Sequence, residues 1–106
     1  MQTIEDINDT IKNNLAVMLY FWAPTCGVCH DLKPKLLEAI NKNFDKFKVI
    51  HIDVSQEQEI AGQYSVFALP TVVIFLDAKE FIRKSRNMSV DEVIREIKRP
   101  YEIMIS

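Results

Sequence analysis

Glycine and cysteine are both scarce in this sequence, with two residues of each among 106. The chain also lacks internal repeats, linkers and low-complexity segments. Because 48% of its residues are hydrophobic, a chain of this length can bury well over half of its unfolded surface and form a core without covalent cross-links. We therefore predict a single domain over residues 1–106.

An excess of charge and a long apolar run are missing as well. The formal net charge is −2, and basic and acidic residues are interleaved, which argues against nucleic acid or an anionic membrane as a main partner. No apolar stretch reaches the ~18 residues of a membrane span. Residues 1–6 lack the basic start and apolar core of a signal peptide. We expect a cytoplasmic protein, in a compartment that keeps most thiols reduced.

Hydrophobic periodicity predicts the element order α-β-α-β-α-β-β-α. Thr3 and Asp6 predict the capped start of a helix over about 4–13. Ser89 and Glu92 predict the start of the last helix in the same way. The strands are predicted at 15–22, 47–54, 71–76 and 80–83, and a short helix at 57–64. This order indicates an α/β fold with a mixed sheet covered by helices on both faces.

The two cysteines, Cys26 and Cys29, lie where the first apolar strand ends and a helical pattern begins. Residues three apart on a helix have Cβ atoms about 5–6 Å apart, so a disulfide can form after small adjustments. A bridge that closes so short a loop contributes only about 2 kcal/mol of stability. We therefore interpret the pair as a redox centre rather than a structural cross-link. The helical pattern contains Pro34, where we expect a kink rather than an end.

The two thiols are predicted to differ in ionisation. Cys26 is expected at the helix start, where free backbone N–H groups and the positive end of the helix dipole favour a thiolate. This field lowers the pKa of the Cys26 thiol below the ordinary value of about 8.5. Cys29 is expected one turn into the helix among apolar neighbours, where it stays protonated until it is needed. Such a pair provides a nucleophile and a resolving thiol.

The sequence resembles the thioredoxin family in three motifs that lie in register over about residues 15–98. The motifs are Phe21-Trp22-Ala23 followed by Cys26-Gly27-x-Cys29, Pro34 eight residues after the first cysteine, and Leu69-Pro70-Thr71. The resemblance implies the thioredoxin fold, with a mixed sheet of four or five strands and helices on both faces. It also implies a thiol–disulfide oxidoreductase that reduces protein disulfides.

The resemblance further implies the roles of individual residues. Cys26 attacks a substrate disulfide and Cys29 then releases the reduced product. Pro70 follows a cis peptide bond, which proline alone makes energetically accessible, and the backbone of Leu69 faces an extended substrate segment. Trp22 braces the active-site loop, and either core packing or substrate contact explains it equally well.

Gly27 is placed at the substrate-binding surface by the same resemblance, although a purely structural role is an equal alternative. The implied partners are disulfide-containing proteins and an NADPH-fed flavoprotein similar to thioredoxin reductase. We expect a monomer that carries no cofactor and no metal of its own.

The sequence departs from the family pattern at several positions. Tyr20 stands where the family carries a buried aspartate, and Val49 stands where it carries the lysine partner. Because the ordinary pKa of a phenol is near 10, Tyr20 is a poor proton acceptor at neutral pH. We therefore expect slower release of the mixed disulfide, or water as the proton acceptor. Thr25 and Val28 replace a tryptophan and a proline of the family.

Three further departures concern the partners and the two ends. Arg86 replaces a glycine that borders the family's substrate groove, which indicates a different set of partners. The family's first edge strand is either missing or reduced to Met1–Ile4. The tail after Pro100 either continues the last helix or packs elsewhere.

Three other functions fit parts of the sequence. Cys26 to His30 also forms the C-x-x-C-H pattern of covalent haem attachment, with His30 as iron ligand. The missing export signal, the downstream Leu-Pro-Thr and the strand-to-helix context argue against it. A zinc site needs four ligands, and His51 is distant on a predicted strand. An interaction module without turnover is disfavoured because both cysteines and Pro70 are present.

Overall fold

The computed structural model describes residues 2–105 and divides them into four helices and four strands. In chain order these are α1 (Ile4–Asn13), β1 (Ala16–Trp22), α2 (Gly27–Asn43), β2 (Phe47–Asp53), α3 (Gln58–Gln63), β3 (Thr71–Leu76), β4 (Lys79–Ser85) and α4 (Val90–Ile105). The predicted succession of elements is confirmed. None of the helices within 2–105 is long and apolar enough to cross a membrane.

The four strands form one mixed sheet in the order β2-β1-β3-β4. Strand β1 runs parallel to β2 and antiparallel to β3, and β3 pairs with β4 as an antiparallel hairpin. Of the two predicted alternatives, the sheet has four strands. Between Gln2 and Ile4 no strand precedes α1, and Met1 of the predicted edge strand lies outside the described residues.

Helices cover both faces of the sheet, as predicted. Successive side chains of a strand point to opposite faces, so β1 contributes to two separate cores. On one face Tyr20 packs in a cluster with Leu36 of α2 and Ile97 of α4. On the other face Leu19 packs in a cluster with Ile7 of α1. The apolar composition of β1 follows from this double burial.

Helices α1 and α4 both begin at the predicted residues, with side chains that cap their first turns. The Asp6 N–H donates to Thr3 Oγ1 at 3.0 Å, and the Thr3 N–H donates to Asp6 Oδ2 at 3.2 Å. The Glu92 N–H donates to Ser89 Oγ at 3.3 Å. These bonds satisfy N–H groups that have no partner inside the helix.

Both long helices continue through a proline. Helix α2 passes Pro34 and ends at Asn43, and α4 passes Pro100 and extends to Ile105. The tail after Pro100 therefore continues the last helix. Tyr101 anchors this extension, because its buried ring packs against Phe44 and Phe47. Its hydroxyl accepts a hydrogen bond from the Lys46 N–H at 2.8 Å.

Candidate active site

The two cysteines meet at the N-terminus of α2, as predicted. Cys26 is the N-cap residue, with an extended backbone at φ −92° and ψ 100°, and Cys29 lies in the first turn. The two sulfurs are joined by a disulfide bond, and the Cα atoms are 5.3 Å apart. This separation lies within the ordinary range for disulfides. The chain thus holds the pair in bonding geometry within one helical turn.

The disulfide is asymmetric in exposure and in hydrogen bonding. Cys26 is partly exposed, whereas Cys29 is 1% exposed. The Cys29 N–H donates to Cys26 Sγ at 3.2 Å. A first-turn N–H aimed at the outer sulfur, together with the helix dipole, favours negative charge on that sulfur once the pair is reduced. The ionisation of reduced Cys26 stays a prediction.

The loop before α2 is held by Trp22 and His30. The Nε2–H of His30 donates to the Pro24 carbonyl oxygen at 3.0 Å. The Trp22 ring meets the His30 ring edge-on, with centroids 5.7 Å apart, and the Lys33 Nζ lies 5.1 Å from the Trp22 centroid. Trp22 is partly exposed. The ring therefore braces the loop and leaves part of its surface open to solvent.

Leu69 and Pro70 lie next to the start of α2, on the loop before β3. The peptide bond between them is cis, as the resemblance implied. The two residues line a surface cavity of about 300 Å³ together with Val28 of α2 and Arg86 and Asn87, which follow β4. An added Cβ at Gly27 would meet no atom within 4 Å. The fold therefore does not require glycine there, and this position opens to solvent.

Tyr20 lies on the buried side of the disulfide. Its hydroxyl donates to the Cys29 carbonyl oxygen at 2.7 Å, and the residue is 2% exposed. Burial raises the pKa of Tyr20 to about 12. The group that occupies the family's aspartate position therefore remains a protonated hydrogen-bond donor at neutral pH.

His51 is the neighbour of Tyr20 on the same face of the sheet. The two residues are register partners of the parallel β1–β2 pair, and their ring centroids are 6.2 Å apart. Burial, and after it the positive charge of Lys33, lower the pKa of His51. Its Nδ1 atom is buried and has no hydrogen-bond partner within residues 2–105. A neutral imidazole therefore lies beside the phenol.

The sequence places His51 on a strand but gives no sign that His51 or Lys33 lies near the active site. Alternation along β2 puts His51 on a definite face, but only the register of the β1–β2 pair places it beside Tyr20. The sequence does not predict that register. Within the described part of the chain, no group of three or more His, Cys, Asp or Glu residues is placed to hold a metal ion.

The fold and the site together define a class of protein. A dithiol that closes to a disulfide at a helix N-terminus, beside a cis-proline loop and on a four-stranded mixed sheet, is the centre of a thiol–disulfide oxidoreductase.

Known proteins agree with this class. A family model described as Thioredoxin matches residues 2–99. The Thioredoxin-like protein YdfQ of Bacillus subtilis is 30% identical over 103 residues, which cover 97% of this chain and 91% of that protein. The Thioredoxin of the same organism is 37% identical over 81 residues, covering 76% and 77%. The structure of thioredoxin 1 from Thermosipho africanus superposes with a TM-score of 0.75 at 37% identity, covering 85% of this chain and 99% of that one.

The chain belongs to the thioredoxin family. The predicted family, the predicted fold and the predicted thiol–disulfide oxidoreductase function are confirmed. The disulfide and the family match favour the oxidoreductase over covalent haem attachment, and the interaction module differs from it only in turnover.

Proposed function

We propose that this protein reduces disulfide bonds of other proteins in the cytoplasm, with Cys26 as the attacking residue and Cys29 as the resolving residue. One observation carries the proposal. The partly exposed Cys26 sulfur accepts a hydrogen bond from the Cys29 N–H, whereas Cys29 itself is 1% exposed. A bulky protein disulfide can therefore reach the Cys26 sulfur but not the Cys29 sulfur. The Cys29 sulfur stays shielded until a substrate is bound.

The reaction requires two exchange steps. The Cys26 thiolate attacks one sulfur of the substrate disulfide, the substrate S–S bond breaks, and the other substrate sulfur leaves as a thiolate. Cys29 then loses its proton and attacks the Cys26 sulfur of the mixed disulfide. The second substrate thiolate leaves and the Cys26–Cys29 disulfide forms. Two electrons pass to the substrate, and water takes up the Cys29 proton because Tyr20 is already protonated.

The substrate segment is proposed to lie in the cavity beside the disulfide. Leu69 offers its backbone to an extended segment, and Pro70 fixes the loop beside the start of α2. Trp22 and Gly27 are proposed to contact the same segment, since Trp22 is partly exposed and the position of Gly27 opens to solvent. Membership of the thioredoxin family supports this arrangement, since that family acts on disulfide-containing proteins.

Turnover needs a source of electrons. A thioredoxin-reductase-like flavoprotein fed by NADPH is the proposed electron donor, and the protein is proposed to act as a monomer without a cofactor. The flavoprotein attacks the Cys26–Cys29 disulfide, which reverses the two exchange steps and restores both thiols.

The first experiment measures the reduction of insulin with dithiothreitol as the electron source. Catalysed precipitation of the insulin B chain is expected, and protein with both thiols alkylated by iodoacetamide is the control. A rate no higher than that of the alkylated control would contradict the proposal and favour an interaction module instead.

The second experiment tests the direction of the reaction. The protein is equilibrated against a series of reduced and oxidised glutathione, and the fraction of Cys26–Cys29 disulfide is measured by mass shift after alkylation. A reduction potential at or below the cytosolic glutathione value of about −220 to −260 mV supports a reductase. A potential well above that range would show an oxidase or isomerase.

A further inference from the structure

Two surface hollows lie side by side near the start of α2, against the cis-proline loop and the segment that joins β4 to α4, and we describe them as one surface. Its first part is the cavity of about 300 Å³ described above. Its second part is a hollow of about 330 Å³, lined by Val28, Asp31, Leu32, Lys35, Met88 and Val90. The two parts share Val28, which is 60% exposed and lies between Gly27 and Cys29. We name this surface the Val28 groove.

Arg86 is held at the edge of the Val28 groove by its backbone. Its N–H donates to the Pro70 carbonyl oxygen at 2.7 Å, which ties the turn after β4 to the cis-proline loop. Its φ of 59° lies in the left-handed region, where residues other than glycine are strained. Glycine would fit this backbone better. Because Ser65, Asp77 and Ala78 adopt the same conformation, Arg86 is distinguished by its place beside the cis-proline loop and not by its backbone alone.

The guanidinium of Arg86 has no partner among residues 2–105. The ion pairs in residues 2–105 join Arg83 to Glu80 and Lys84 to Glu92 and Glu96, and none of them includes Arg86. The hydrogen bonds of that part of the chain give its side chain no acceptor either. Arg86 is exposed and lines the cavity beside Leu69 and Pro70. Arg83 and Lys84 of β4 are thus paired, whereas Arg86 carries an unpaired charge in the part of the groove beside Leu69 and Pro70. The other charged groups of the groove, Asp31 and Lys35, line its second part on α2.

We propose that Arg86 selects substrates whose reactive disulfide lies in an extended segment with a glutamate or aspartate within about two residues of the attacked cysteine. The carboxylate pairs with the guanidinium, which can donate two parallel hydrogen bonds. An apolar side chain of the same segment covers Val28. This inference rests on the proposed function, since it requires that substrates lie beside Leu69 and Pro70.

The test uses three oxidised peptides of one sequence, with glutamate, glutamine or lysine next to the attacked cysteine. Pre-reduced protein is mixed with each peptide, and the second-order rate constant of the single turnover is measured by acid quench. The glutamate peptide is expected to react about threefold faster than the glutamine peptide, as for an exposed charge pair, and the lysine peptide slower than both. The preference is expected to shrink as salt increases.

Variants of Arg86 assign the preference to one side chain. Arg86→Gln is expected to remove it, and Arg86→Glu is expected to reverse it, so that the lysine peptide reacts fastest. Arg95→Glu makes the same change in net charge on α4, outside the residues that line the groove, and is expected to keep the wild-type order.

Two results would overturn the inference while leaving the proposed function intact: equal rates for all three peptides, or a preference that survives Arg86→Gln. An equal slowing of all three peptides by Arg86→Gln would also overturn it, because the arginine would then support the turn rather than read a charge. If no peptide is reduced by any variant, the proposed function itself fails and the inference falls with it.

Discussion

The two sulfurs of the active-site disulfide lie in unlike surroundings. The outer side, around Cys26, is built from a helix N-terminus, a partly exposed tryptophan and a cis-proline loop, and it matches the thioredoxin pattern. The inner side is formed by Tyr20, whose hydroxyl donates to the Cys29 carbonyl oxygen and whose ring meets His51 edge-on, and Tyr20 departs from that pattern. In the proposed reaction, attack on a substrate depends on the outer side, and release depends on the inner side. The two halves of one reaction can therefore be altered separately.

The outer side depends on the backbone, which explains why it is unchanged in spite of substituted side chains. The Cys29 N–H that points to Cys26 Sγ is present whatever residue occupies position 28. The inner side depends on side chains. A hydroxyl that donates to the Cys29 carbonyl has replaced an acid that accepts protons, so a single substitution changes its chemistry.

The largest expected effect separates the two cysteines. Cys26→Ser is expected to lower disulfide reduction by about 10³-fold or more, because the accessible nucleophile is lost. Cys29→Ser is expected to attack normally but to remain bound to its substrate as a mixed disulfide. Mass spectrometry of each variant after mixing with an oxidised peptide measures this, and circular dichroism checks that both variants are folded. If a mixed disulfide forms only with Cys26→Ser, Cys29 is the attacking residue and Cys26 the resolving one, contrary to the prediction.

The second prediction concerns Tyr20 and alkaline stability. The pKa of Tyr20 is about 12 in the folded protein and near 10 in the unfolded chain. Between these values the unfolded state loses the phenolic proton while the folded state keeps it, so stability falls as the pH rises. The loss is about 2–3 kcal/mol, and Tyr20→Phe is expected to remove it from urea unfolding curves of the oxidised protein.

Tyr20→Phe is also expected to lower the free energy of unfolding near pH 7. The bond from the hydroxyl to the Cys29 carbonyl is lost, which destabilises the fold by about 1 kcal/mol. Tyr64 provides the comparison on the other face of the sheet, because burial raises the pKa of Tyr64 as well. Part of the alkaline loss is therefore expected to persist in Tyr20→Phe. An unchanged slope above pH 10 would contradict the prediction.

The third prediction concerns release. Tyr20→Asp puts a proton acceptor beneath Cys29 and is expected to accelerate release of the mixed disulfide about tenfold at pH 7. Single-turnover kinetics with a peptide disulfide separate this step from attack. Tyr20→Phe is the matched control and is expected to release at the wild-type rate, since neither residue accepts a proton. Equal release rates for the aspartate and phenylalanine variants would show that proton transfer does not limit this step.

The sequence predicted the outer side more completely than the inner side, and the physical reason is range. Helix caps, apolar periodicity and the spacing of Cys26 and Cys29 act within a few residues, so they can be recognised in one segment. On the inner side, the pairing of Tyr20 with His51 depends on the register of two strands. The outer side has one contact of the same kind, the bond from Arg86 to Pro70, which joins two separate loops. Such contacts form only when the whole sheet is assembled.

The tail after Pro100 shows the same limit. A proline inside a helical pattern predicts a break when it is read locally. Helix α4 nevertheless continues, because Tyr101 packs against Phe44 and Phe47 and accepts a hydrogen bond from Lys46. These partners lie between the end of α2 and the first residue of β2, more than fifty residues earlier in the chain. Tertiary packing outweighs the local signal.

The last and smallest predicted effect tests whether His51 belongs to the inner side as a neutral group. Burial and the charge of Lys33 lower the pKa of His51 in the folded protein, whereas the unfolded chain has the ordinary value near 6.5. As the pH falls below 6.5, the His51 imidazole binds a proton in the unfolded state but stays neutral in the folded state. The free energy of unfolding therefore decreases. His51→Leu is expected to flatten this acid slope, measured by urea unfolding between pH 7.5 and pH 5.

His30 is the matched control, since it is the other histidine of the chain and lies exposed at the start of α2. His30→Gln is expected to keep the acid slope. At pH 7.5 His51→Leu is expected to cost little stability, because it replaces a buried Nδ1 that has no partner within residues 2–105. Strong destabilisation at pH 7.5 would instead show that this nitrogen is bound through ordered water. The inner side would then contain a hydrated path to Cys29 rather than a dry neutral cluster.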